Sequence, residues 1–169
     1  DRPRTDDEIM DLLYDVLINA RRAINAKDGS LLVLDDDTNE LVFVICQGDI
    51  PQDKLAWRRV PPGEGIAGWV VNERRATIVN NVGTDARFWE NIDAELDFAT
   101  NSMLAAHVIG GGRVLGVVEL LNKQDGLQFD GEDQALLSLM CRFAGELLFS
   151  LLQKAKASEA VSYTHLTLP

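Results

Sequence analysis

Histidine and cysteine each occur only twice in 169 residues. His107 and His165, Cys46 and Cys141 lie far apart in the chain, without metal-ligand spacing. No metal site and no Cys–His or Ser–His catalytic set follows from so small an inventory. Both cysteines read as small buried thiols, and His107, inside an apolar run, reads as a satisfied or edge histidine rather than a base. The acid groups Asp6-Asp7, Asp35-Asp36-Asp37 and Glu132-Asp133 fall in expected caps and turns, where solvation explains them. The chain is therefore expected not to be an enzyme and to need no catalytic cofactor. Basic residues are few as well: 16 against 27 acids, a net charge of −11. That excludes nucleic acid as a partner, since phosphate backbones are held by basic patches. The longer apolar runs are broken by Glu119 or by Gly145-Glu146, so no membrane span is expected. No signal peptide is read at the start, which makes a cytoplasmic module the expectation. Internal repeats and low-complexity tracts are absent.

Hydrophobic residues make up 46% of the chain, enough for one domain with its own core. The most informative stretch is Gly116–Asp133, GVVELLNKQDGLQFDGED. An apolar run with one acid, Glu119, ends on Asn122-Lys123. A loop then leads through Phe129 to Asp130-Gly131-Glu132-Asp133, which opens a long apolar helix. Lys123 and Asp133 flank the loop, so an ion pair could close it with Phe129 as an apolar plug. A mid-strand acid such as Glu119 needs either an edge or a cavity.

Thr5-Asp6-Asp7-Glu8 forms a capping box after a polar tail, and Ile9, Leu12, Leu13, Val16, Ala20 and Ile24 follow at helical spacing, with Met10 and Leu17 widening the stripe. Lys27-Asp28-Gly29 is expected to end that helix. Strands are expected at 30–34, 41–46, 57–60, 76–79, 103–109 and 113–121, the last two joined by Gly110-Gly111-Gly112 as a hairpin. Gly63-x-Gly65-x-x-Gly68 satisfies the dinucleotide fingerprint in letters only. Two prolines precede it and Asn80-Asn81-Val82 stand where an acid is needed, so it is not read as a dinucleotide site; a tight turn into a short helix at 66–72 is what the family resemblance given below implies for these residues. Residues 80–100 are too long for a plain connector and read either as a surface loop pinned by Phe88 and Phe98 or as a binding loop or cover, the latter being what the family resemblance given below implies. The last helix, from about Glu132 to Ala157, carries one stripe of Leu136, Met140, Phe143, Leu147 and Leu151 and a second of Leu137, Ala144, Leu148 and Leu152. Two buried faces suggest a partner besides its own sheet. The final VSYTHLTLP does not continue the helical pattern. The domain is therefore expected at residues 5–157, with 158–169 a tail appended to it.

Taken in order, Gly29-Ser30-Leu31-Leu32, Gly63-Glu64-Gly65-Ile66-Ala67-Gly68, Asp85-Ala86-Arg87-Phe88, Gly116-Val117 and the Asn122, Lys123, Phe129, Asp133 set resemble the motifs of GAF domains. Gln134 stands where the family has its final Glu, and His107 where it commonly has Pro. The resemblance covers about residues 8–153. It implies an α+β fold: a central antiparallel sheet, terminal helices on one face, and helices or loops over a ligand pocket on the other. It also implies a regulatory sensory domain whose ligand is a cyclic nucleotide. By motif alignment, Ser30, Cys46 and Gln47 would lie near the base, and Ile66, Ala67, Trp89, Thr100 and Glu119 would line the rest. Asn122, Lys123, Phe129 and Asp133 would form a structural clasp.

Gln47 offers both a donor and an acceptor, which suits an adenine edge and favours cAMP over cGMP. The family further implies a homodimer through the terminal helices and an output domain elsewhere in a full-length protein: a cyclase, kinase, phosphodiesterase or transcription activator. The alternative is a dimerisation GAF module with an empty pocket or an unrelated small-molecule ligand. Bilin would need a cysteine in the cover, haem an axial ligand for which only His107 is available, and methionine sulfoxide reduction a cysteine set that this chain lacks.

Overall fold

The computed structural model describes residues 2–88 and 100–167, with side chains described within 6–88 and 100–160. Six strands form one sheet: β1 (Ala26–Leu34), β2 (Leu41–Gln47), β3 (Arg59–Val60), β4 (Thr77–Val79), β5 (Met103–Gly110) and β6 (Arg113–Lys123). Their spatial order is β3-β2-β1-β6-β5-β4, and every neighbouring pair is antiparallel. Among the described residues four α-helices accompany them: α1 (Arg2–Ile24), α2 (Gln52–Leu55), α3 (Gly65–Glu73) and α4 (Gly131–Thr167). This is the expected α+β architecture.

Strand alternation splits the apolar residues into two layers. Leu13, Leu17, Ala20 and Ile24 of α1 and Leu137, Cys141 and Leu148 of α4 bury against Leu31, Leu104, Val118 and Leu120. On the other face Ile66, Ala67 and Val70 of α3 bury against Leu32, Phe43, Ala105, Val117 and Leu121. α1 and α4 run antiparallel, with Lys154 Nζ 3.7 Å from Glu8 Oε2. The hairpin turn needs its glycines: Gly111 and Gly112 have φ of 59° and 74°, the pair of positive values that a two-residue turn of matching twist demands.

Several expected boundaries move. α1 starts at Arg2, because Pro3 falls in the first turn, where its missing N–H costs nothing. It ends at Ile24 on Asn25, which has φ 65°, so Lys27-Asp28-Gly29 belong to β1 rather than to a helix end. Leu17 is fully buried in the core stripe, whereas Met10 is exposed. α4 continues through residues 158–167. No glycine or proline occurs between Glu146 and Leu168, so nothing in the backbone chemistry stops the helix at 157.

One helix exceeds the apolar length expected from the sequence. Gly131–Ala160 is long and apolar enough to cross a bilayer by length and composition, since Arg142 and Glu146 are the only charges between Gln134 and Leu151. One face of this helix is nevertheless seated on the sheet. Gly145 lets it lie flush there, because a Cβ at that position would stand 1.8 Å from the Ile109 carbonyl oxygen.

Candidate functional site

The face of the sheet under α3 carries a polar row. Antiparallel register places Cys46 opposite Ser30, Ser30 opposite Glu119, Glu119 opposite Ala105, and Ala105 opposite Thr77. Cys46 and Ala105 belong to the α3-face cluster, so the row crosses five strands on that side. Adjacent strands are about 4.8 Å apart, which makes it roughly 19 Å long. Ser30 and Glu119 are only 2% and 7% exposed, and Ser30 Oγ lies 3.7 Å from Cys46 Sγ. Burial pushes the Cys46 thiol up to about 11, with the Glu119 charge adding to the effect and the Ser30 hydrogen bond opposing it. A buried acid among apolar neighbours with a few polar groups beside it has the composition of a small-molecule floor.

At the far end of the row stands Arg87. Its Nη2 donates to Thr77 Oγ1 at 3.3 Å, and its Nε and Nη2 pair with the two carboxylate oxygens of Asp85 at 2.9 and 2.7 Å. The guanidinium lies 4.4 Å from the centre of the Trp69 ring. Hydrogen bonds from Arg87 hold the Asp85 carboxyl below its usual range.

Gln47 is brought to the other face. β1 and β2 carry a bulge: Leu31 faces Ile45 and Leu32 faces Phe43, leaving Val44 extra. An extra residue inverts the alternation beyond it. Val44 and Ile45 therefore both bury towards α1 and α4, Cys46 turns to the α3 face, and Gln47 turns back. The Gln47 amide accepts from Arg21 Nη1 at 3.3 Å and donates to the Tyr14 carbonyl at 3.3 Å. The expected contact between Gln47 and a base is corrected accordingly, and the preference for adenine loses the residue it stood on.

The Gly63-Glu64-Gly65 turn works as a backbone device and not as a dinucleotide loop, in keeping with a sheet that has no parallel pair. Gly63 and Gly65 have φ of 77° and 70°, and a Cβ on Gly68 would stand 2.6 Å from the Gly63 carbonyl carbon. The turn delivers the N-terminus of α3, which no side chain caps, with Ile66 and Ala67 buried in its first turn. Uncapped first-turn N–H groups favour an anion.

Thr100 is buried at the start of the chain that leads into β5. Trp89 lies in 89–99, outside the described residues, as does most of the cover expected over the row. A cleft of about 240 Å³ lies elsewhere, lined by Leu34, Leu41, Pro61, Gly63, Val71 and Asn72 among others, and none of the row residues borders it.

The loop after β6 is closed from three sides. Lys123 Nζ meets Asp133 Oδ2 at 2.5 Å. Asp130 and Asp133 each accept the other's backbone N–H, at 2.9 and 3.0 Å, a reciprocal cap that makes Asp130 the residue opening α4. Phe129 is buried, and the Asn80 side chain bonds both its N–H and its carbonyl. Asn122 does something else: with φ 59°, it accepts from the N–H groups of Asn101 and Ser102 and donates to Asp28 Oδ2 at 3.3 Å.

Asp28, only 1% exposed, is the residue that sequence reasoning missed, because it was assigned to a helix end. It also accepts from Asp49 N at 2.7 Å.

Among the described residues no group of three His, Cys, Asp or Glu side chains could hold a metal ion. Cys46 and Cys141 lie in the cores on opposite faces of the sheet, and burial pushes the Cys141 thiol up to about 12, so they do not form a reactive pair. His107 is half-buried on β5, with burial and the nearby Arg74 charge lowering its pKa.

Paired terminal helices lie behind the sheet and a polar row in front of it. A family model described as GAF domain matches residues 4–148, and the chain belongs to the GAF domain family. It is similar to a cGMP-specific 3',5'-cyclic phosphodiesterase of Drosophila mojavensis, with 27% identity over 146 residues that cover 79% of this chain and 13% of the relative. The chain spans only 10–22% of the curated relatives it matches. Among solved structures it resembles the GAF domain of a phosphoenolpyruvate-protein phosphotransferase from Coxiella burnetii, with a TM-score of 0.74, 19% identity and 94% of each chain covered. It also resembles a free methionine-R-sulfoxide reductase from Neisseria meningitidis, with a TM-score of 0.67, 21% identity, and 90% and 88% covered. At these identities the structural likeness speaks for the fold alone.

Proposed function

We propose that this domain is a cyclic-nucleotide sensor whose purine rests on the Cys46–Ser30–Glu119 row. The observation that carries the reading is Glu119, a buried acid in the middle of a central strand on the face under α3. An ionised carboxylate only accepts hydrogen bonds. Guanine presents N1–H and N2–H₂ side by side as donors, whereas adenine sets one donor beside an acceptor that would face the carboxylate unpaired. With Gln47 committed to α1, cGMP stands ahead of cAMP. The cGMP-specific phosphodiesterases among the relatives agree with this choice. The uncapped N-terminus of α3 at Ile66 and Ala67 suits the phosphate in a chain whose overall field repels it. The domain would act in the cytoplasm and regulate an output domain of a longer polypeptide, such as a phosphodiesterase.

A second reading, a dimerisation module without ligand, is favoured by one observation: Leu136, Leu139, Phe143 and Leu147 of α4 are 40–67% exposed. Calorimetric titration of nucleotide-free protein with cGMP and with cAMP separates the two readings. Micromolar cGMP binding, weaker cAMP binding, and a loss of about tenfold or more in Glu119→Ala are expected. No heat from either nucleotide would overturn the cyclic-nucleotide reading and leave the dimerisation module or an unrelated small-molecule ligand.

A further inference from the structure

At the end of the sheet where β1 begins and β2 ends, two sets of hydrogen bonds, one on the α3 face and one on the helix face, meet through the Lys27–Asp28 backbone. The first starts at Asn101 and Ser102, whose N–H groups donate to Asn122 Oδ1 at 2.8 and 3.4 Å. Asn122 Nδ2 donates to the buried Asp28, which also holds the N–H of Asp49. The residue before Asp28 continues the line: the Lys27 carbonyl accepts from Arg21 Nη2 of α1 at 2.7 Å. The other amino group of Arg21 reaches Gln47, and Gln47 reaches back to the Tyr14 carbonyl of the same helix.

Two glycines make room for this packing. A Cβ on Gly29 would stand 2.9 Å from Leu17 Cδ1 and 3.1 Å from Arg21 Cδ, and one on Gly48 would stand 2.4 Å from Asp28 Oδ1. Arg21 Nε is buried without a hydrogen-bond partner. The corner is thus closely packed, yet it holds one unsatisfied donor that a different packing could satisfy.

We propose that Arg21, Gln47, Asp28 and Asn122 form a positioning relay that ties the polar row to the tilt of α1. Each strand enters the relay beside a row residue: Asp28 is two residues before Ser30, and Gln47 directly follows Cys46. A ligand that draws Ser30 or Cys46 towards itself moves Asp28 and Gln47, and both lead to Arg21. Consecutive strand residues face opposite sides, and the bulge in β2 decides which is which: it turns Cys46 to the α3 face and Gln47 to the helix face. The relay rests on the proposed ligand reading only for what sets it in motion; its bonds exist without ligand.

The test therefore has a ligand-free arm and a cGMP arm, both read by amide hydrogen exchange. In the ligand-free protein, Arg21→Met speeds exchange of the Asp49 and Ser102 amides by about fivefold or more while Val118 stays as it was, and the effects of Arg21→Met and Asn122→Ala on Asp49 fail to multiply. Should Arg21→Met loosen every amide, Gln47→Met gives the same readout from a milder change. With cGMP, the amides of Ala20–Ile24 slow in the wild type and do not slow in Asn122→Ala. Wild-type exchange at Ser102 in the helix-side variants, or effects that simply multiply, would overturn the relay even if cGMP binds. Coupling without any cGMP binding would keep the relay and overturn the ligand reading instead.

Discussion

Lys123 and Asp133 have side chains only 12% and 14% exposed, so their ion pair is of the kind whose breakage leaves a charge without compensation. Asp133 also accepts the Asp130 N–H that closes the start of α4. Lys123→Met should therefore lower the unfolding free energy by about 3 kcal/mol in urea denaturation. A loss under about 0.5 kcal/mol would mean that the pair behaves as an ordinary surface salt bridge. This pair was legible in the sequence because both residues flank a single short loop. Glu119 was legible as a lone acid in an apolar strand. Asp28 was not, since its partners Asp49 and Asn122 lie 21 and 94 positions away, and no local pattern announces a carboxylate held that way. Gln47 was misplaced for a related reason: its direction depends on one extra residue in β2, and a strand with apolar residues on both faces gives no alternation from which a bulge could be read.

At the scale of elements, the β5–β6 hairpin and the opening of α4 were plain from turn glycines and capping acids. The ends of α1 and α4 were not: Asn25, with φ 65°, stops α1 ahead of the Gly29 that the sequence offers as its end, and nothing at Ala157 stops α4. α4 also presents two stripes of different fate. Leu137, Cys141, Ala144 and Leu148 are buried, whereas Leu136, Leu139, Phe143 and Leu147 face outward. An apolar row of four residues at helical spacing on the outside of a domain marks an interaction surface, and the proposed occupant is the same helix of a second copy. Sedimentation is expected to show a dimer at micromolar concentration and a monomer for Phe143→Asp, with the far-ultraviolet spectrum unchanged. A wild-type monomer at high micromolar concentration would remove this pairing.

For the whole molecule, the sheet separates two tasks. Its helix face carries α1 and α4, the elements that would connect the domain to a larger protein. Its α3 face carries the polar row, flanked by an uncapped helix N-terminus and by Arg87 on Thr77. The family and its architecture were readable from motifs spread along most of the chain. The floor of the site was readable only in part, because the row is made by register across strands. The most direct test of the central claim is an amide nitrogen–proton spectrum recorded while cGMP is added to the intact chain. The account predicts saturable shifts at Ser30, Cys46, Thr77 and Glu119 and in the first turn of α3 at Ile66 and Ala67. Saturating cGMP that leaves these amides in place, or moves only residues on the exposed stripe of α4, would contradict it.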